Sequence, residues 1–241
     1  MKKKVIAFIC LFLSVPAFAQ WKELEIPSGE SHWASSVFKE TLNGKEVVYG
    51  PQSLFDKDNS TPWVEAESGD GIGESITILL QKALTDLTIT NGFASSTRLF
   101  NLNNRVKTMD LTLISGLTAP GLVTENDYYL YFVKEIPLSK GLIIEDSSEE
   151  QNLSFPMSIM DQFELNRTVV LQFQKEFPEF FKMILVELNL EKKNQLGDDD
   201  IKQIMEIFGF YSLKLTITEV YKGDRYSDTC ISELHLDLAE F

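Results

Sequence analysis

Cysteine and histidine are scarce in this chain of 241 residues, which has two of each. Cys10 falls in the first twenty residues and Cys230 near the other end. If the leading segment is removed on export, Cys230 stands alone and no intramolecular disulfide forms, so stability must come from a packed core. His32 and His235 occupy no zinc or triad spacing, and no nucleophile is placed beside a base. Basic residues are also few, 22 against 36 acidic ones, for a net charge of −14 at pH 7. That balance disfavours nucleic acid and anionic membrane surfaces as partners, since both reward lysine and arginine. No apolar run reaches the roughly 20 residues of a transmembrane helix, and no internal repeat is present.

What the chain does have begins with an export signature. Lys2, Lys3 and Lys4 precede an apolar core from Val5 to Val15, and Ala17-Phe18-Ala19 offers a small-x-small cleavage site. Residues 1–19 are therefore expected to be a signal peptide, with a mature chain starting at Gln20 and working in the periplasm or outside the cell. The remaining length suits one domain with an insertion, and a hydrophobic fraction of 44% supplies a core.

The organising stretch runs from Tyr49 to Glu74, where acids, turn formers, Trp63 and three glycines lie between strand-like segments. Asp56, Asp58, Asn59, Ser60 and Thr61 favour side-chain-capped turns, and Gly69, Gly71 and Gly73 suit a backbone needing positive φ. Trp63 is expected in the core. Between His32 and Val48, Asn43-Gly44 predicts a hairpin. Alternation predicts strands at Glu74–Leu80, Leu87–Thr90, around Met109, Leu111 and Leu113, over Tyr128–Ile136, and at Leu213–Ile217 and Leu234–Leu238. Thr168–Phe173 also has strand character, whereas 138–152 is polar and acidic and reads as an exposed loop. From Phe177 the period changes to that of a helix with Pro178 in its first turn, and a second helix is expected from Asp198, capped by that residue, to Gly209. Short strands with turn signals predict a mainly β sandwich interrupted by a helical hairpin.

WASSVF, GPQSLFDKDNSTPWVEAESGDGIGESI, ITNGFASS, NNRVKTMDLTL and LTITEVYKGDRYSDTCISELHL together resemble the discoidin-type, galactose-binding-like domain that serves as the translocation, or glycan-binding, domain of secreted bacterial NAD glycohydrolases. The resemblance covers about 32–113 and 213–236. It implies a jelly-roll β-sandwich formed by 20–137 and 211–241, with 138–210 as an insertion. It also implies a binding surface for a glycan or cell-surface component at the loop edge, and it does not imply NAD hydrolysis, since the catalytic domain of that family is a separate unit to which nothing here corresponds. A protein partner held by the helical insertion or the acidic loops is the alternative.

In relatives of this fold a calcium ion pins the loop before the core tryptophan, and the matching positions are Asp56, Asp58, Thr61 and Glu233. Calcium accepts such carboxylates and hydroxyls, but the same side chains also make simple turns. An EF-hand reading of Asp56–Glu67 fails because its sixth position, which needs glycine, holds Thr61. Asp70 and Glu74 would repel a phosphate from the glycine run. For a polyhydroxylated ligand the candidates are Glu67, Asp70, Asn91, Asn104 and Arg105, whose carboxylates, amides and guanidinium provide fixed donors and acceptors. The bland reading of the same residues is that the asparagines hold turns and Arg105 pairs with an acid. Glu65 and Glu67 as paired hydrolase carboxylates have nothing to single them out among the acids.

Overall fold

The computed structural model describes residues 20–27 and 29–241, so the expected signal peptide lies outside the described residues. In chain order the strands are β1 (Lys22–Ile26), β2 (His32–Ala34), β3 (Phe38–Leu42), β4 (Lys45–Tyr49), β5 (Trp63–Val64), β6 (Ser75–Leu79), β7 (Ala83–Asn91), β8 (Asn104–Leu117), β9 (Tyr129–Ile143), β10 (Gln151–Ser154), β11 (Gly209–Tyr221) and β12 (Thr229–Ala239). A 3-10 helix spans Pro51–Phe55, and the α-helices are α1 (Thr97–Leu102), α2 (Ile159–Glu176), α3 (Pro178–Glu187) and α4 (Asp198–Phe208).

The main sheet follows the path β10-β7-β12-β8-β11-β6-β2, with β9 and β1 attached beside β8 and β5 beside β12. Almost all pairing is antiparallel. The link from β12 to β8 is parallel and only two residue pairs long, Thr229 with Asn104 and Cys230 with Arg105. Beyond it β8 changes partner to β9. The sheet folds over at this seam into a sandwich. Met109, Leu111 and Leu113 of β8, Leu213, Leu215 and Ile217 of β11, and Ile76 and Ile78 of β6 share one core with Leu87 and Ile89 of β7 and Leu234 of β12. These are alternate positions of each strand, so one face is buried while the other meets solvent or a covering element. Trp63 is fully buried in that core, its indole N–H donating to the Ser36 carbonyl at 3.0 Å.

The Asn43-Gly44 hairpin forms as expected, with φ of 52° and 78° at the two turn residues. Several local expectations are overturned. Thr168–Phe173 is helical, inside α2: Phe163, Asn166, Val169, Val170 and Phe173 bury one helix face, which outweighs the strand preference of the β-branched pair. The insertion thus carries three helices rather than a hairpin of two. The exposed loop of 138–152 shrinks at both ends, because β9 continues to Ile143, Leu138 and Leu142 pack on the core, and Gln151–Ser154 adds an edge strand to β7. Asp198 is not the cap of α4. Gly197 holds that place, and its N–H donates to Asp200 Oδ2 at 2.9 Å. The segment before Asn103 contains α1, whose first turn is capped by Ser96 Oγ accepting from Leu99 N at 3.2 Å.

Helices α2, α3 and α4 close the end of the sandwich away from the seam. Leu117 and Ala119, at and just beyond the end of β8, share a cluster with Phe173, Phe181, Ile184, Ile201 and Ile204. The Phe177 and Phe180 rings lie 4.5 and 5.6 Å from that of Phe132 on β9, so the aromatic face of α3 docks on the sheet. Gln162 of α2 binds both backbone groups of Leu84, accepting at 2.9 Å and donating at 2.7 Å, and accepts from the Tyr211 hydroxyl.

Candidate functional site

At the seam end, the loop 65–74, α1 and the loops 144–150 and 222–228 converge on the starts of β8 and β12. Glu65 is their hub. Although fully buried, its carboxylate accepts from Thr229 N at 3.0 Å and from Glu67 N at 2.9 Å, and burial raises its pKa while those amides oppose the shift. Gly71 crosses directly over it at φ +71°, and a Cβ there would sit 2.7 Å from Glu65 Cγ. Gly69 and Gly73 also have positive φ, as the sequence requires.

The structure brings Asp70, Asn104 and Arg105 together and places Asn91 on β7, one strand away across β12. Asn104 is buried, donating from Nδ2 to the Ser227 carbonyl at 2.6 Å and to Asp70 Oδ1 at 3.2 Å, while its Oδ1 accepts from Gly223 N at 2.8 Å. Arg105 is bidentate to Asp146 at 2.8 and 3.0 Å, and its Nη1 faces the carbonyls of Phe100, Asn103 and Lys222. Asn91 uses Nδ2 on the Val106 and Glu145 carbonyls, and its Oδ1 accepts from Gly92 N and Val106 N. These three side chains are therefore turned inward as ties between loops. Asp70 is half-buried at the rim and pairs with Lys222, which holds its carboxyl below the usual range. Glu67 is exposed. Sequence reasoning missed Lys222 and Tyr226 here. Tyr226 is 40% exposed, with the Arg225 guanidinium 5.2 Å from its ring centre. Its place beside the Gly223-Asp224 turn was the available signal.

The expected calcium loop lies apart, against the outer face of β12. Asp56 Oδ1 accepts from Asp58 N at 2.8 Å and Asp58 Oδ1 from Ser60 N at 2.9 Å, while Thr61 Oγ1 donates to Asp56 Oδ2 at 2.7 Å. The Ser60 hydrogen bonds hold the Asp58 carboxyl low. Glu233 meets this loop. Its Oε1 is buried without a hydrogen-bond partner among the described residues, and its pKa is raised first by burial and then by the Asp56 carboxyl. An orphaned buried carboxylate oxygen beside a second carboxyl is the donor chemistry a hard cation accepts. Among the described residues no three histidine, cysteine, aspartate or glutamate side chains are grouped to hold a metal, so further ligands would come from loop oxygens.

Cys230 is a buried thiol whose pKa burial pushes up, which makes it inert rather than nucleophilic. No helix is long and apolar enough to cross a membrane among the described residues.

Comparison with curated proteins finds no match. Among solved structures, the chain is 10% identical to the CBM32 of AlyQ in complex with 4,5-unsaturated mannuronic acid, covering 90% of this chain and 99% of that one at a TM-score of 0.34. It is 13% identical to the arabinofuranosyltransferase AftD from Mycobacteria, over 86% of this chain and 11% of that one, at a TM-score of 0.33. A family model matches residues 29–170 and 179–237, so β9, β10 and most of the helical region fall within the matched pattern rather than outside it. With that match spanning most of its length, the chain belongs to the NAD glycohydrolase translocation F5/8 type C domain family, and its fold is of the discoidin type.

Proposed function

We propose that this is an exported, non-enzymatic binding module that recognises a glycan or other cell-surface component through the loop end at the seam. The observation that carries this reading is the division of labour there: buried Glu65, Asn91, Asn104 and Arg105 tie the loops together, leaving Glu67 and Asp70 at the rim. Such a fixed rim binds without first ordering its loops. Tyr226 adds an aromatic face of the kind that sugar rings stack against. A glycan array probed with residues 20–241 is expected to give discrete hits that fall at least about tenfold with Asp70→Ala, the loss of one charged hydrogen-bonding partner being about 1.5–3 kcal/mol. A blank array, or equal binding by the variant, removes the loop-end site.

The second part of the proposal is a structural calcium held by the carboxylates of Asp56 and Glu233, with Asp58 and Thr61 completing the loop's oxygen set. Ligand binding to the folded state alone stabilises by about 2.7 kcal/mol at a hundredfold excess over Kd. Calcium at millimolar concentration is accordingly expected to raise the melting temperature of the wild type and not of Glu233→Gln. No rise in the wild type removes the ion from the proposal.

A further inference from the structure

A second concave surface lies on the outer face of β7 and β12, a cleft of about 570 Å³. That volume falls in the range of small-molecule sites, roughly 300–1,000 Å³. Its floor is built by register. Thr88 pairs with His235 and Thr90 with Glu233. Residues two apart on a strand share a face about 7 Å apart, and neighbouring strands lie about 5 Å apart. The floor is thus a grid of hydroxyl, imidazole and carboxyl groups on the scale of one or two sugar rings. Thr90 is the sharpest feature. It is only 8% exposed and lines the cleft opposite Glu233. Asn59 and Lys57 stand on one wall with Phe55, which the His32 ring steadies at 4.7 Å, and Glu150 stands on the other.

We infer that this cleft is a second carbohydrate site, which takes an uncharged, extended oligosaccharide lying across β7 and β12. The inference rests on the glycan-binding reading given above and concerns a different surface from the loop end. With no calcium bound, Glu150 and Glu233 against Lys57 make the lining net negative, so in calcium-free solution uronic acids and sulfated sugars are disfavoured while neutral hydroxyls find both donors and acceptors.

Amide NMR of the isotopically labelled chain, titrated with cellohexaose, xylohexaose and chitohexaose and with a hyaluronan hexasaccharide as acidic control, tests this. At least one neutral chain is expected to shift the amides of Thr88, Thr90 and His235, and the acidic control to leave them in place. Thr90→Val, which keeps the side-chain shape, is expected to weaken that binding by about three- to tenfold, the worth of one hydrogen bond, without moving signals of Asp70 or Thr229. Shifts confined to the seam end would overturn the cleft and retain the proposed function. Shifts nowhere with any of the neutral chains would overturn the cleft and leave the loop-end reading to the glycan array, and equal response to the acidic control would overturn the ligand class.

Discussion

Arg105→Ala is expected to lower the unfolding free energy by about 3 kcal/mol, the low end of what breaking a buried ion pair costs. The low end applies because Asp146, the partner of Arg105, has a side chain 41% exposed and can return to water. The larger loss falls on the carbonyls of Phe100, Asn103 and Lys222, which share the Nη1 donor, and on the packing of the guanidinium 4.9 Å from the Phe100 ring centre. Arg105→Lys should rescue little of this, since an ammonium cannot serve a bidentate carboxylate and a set of carbonyls in one plane. Urea unfolding of both variants decides the matter. A cost below about 1 kcal/mol, typical of an exposed pair, would mean that Arg105 is not the tie described here.

Phe173→Ala is expected to cost about 3–5 kcal/mol, as for other large core aromatics. Phe173 is fully buried, with the rings of Trp21, Phe132, Phe177 and Phe181 all within 6.4 Å. Because Phe132 belongs to the sheet and Gln162 of α2 bonds to β7 and to Tyr211 of β11, the damage should spread to the whole molecule. Far-ultraviolet circular dichroism and tryptophan fluorescence of the variant should therefore report one shared, lowered transition. Helices that melt alone, leaving the Trp63 signal native, would show that the helical cap and the sandwich are separate cooperative units.

Much of the sandwich was legible because its strands bury one face each: Ile76 and Ile78, or Leu213, Leu215 and Ile217, leave a period-two mark. Gly69, Gly71 and Gly73 likewise announced a left-handed backbone. What failed to show was long-range in origin. The β-branched run in α2 is helical because Val169 and Val170 find a helix-sized hollow beneath Leu117, a fact settled by residues fifty positions away. Asn91, Asn104 and Arg105 were legible as donors and acceptors but not as buried ones. Whether an amide faces a ligand or a neighbouring loop depends on partners such as Asp146, Ser227 and Gly223, whose proximity no spacing rule encodes. The helical region stood out by its period and by lying outside the segments that carried the resemblance, yet the family pattern runs through most of it.

The two-pair seam between β12 and β8 has a mechanical consequence. It stitches the halves of the sandwich edge to edge at the rim where Asp70 stands, through Thr229, whose hydroxyl donates to the Asp70 carbonyl at 2.7 Å. If the proposed guest is gripped at that rim, it would bridge both halves and act as a rivet. Tension applied through such a guest would load the molecule at its stitched edge instead of prying open the helix-closed end.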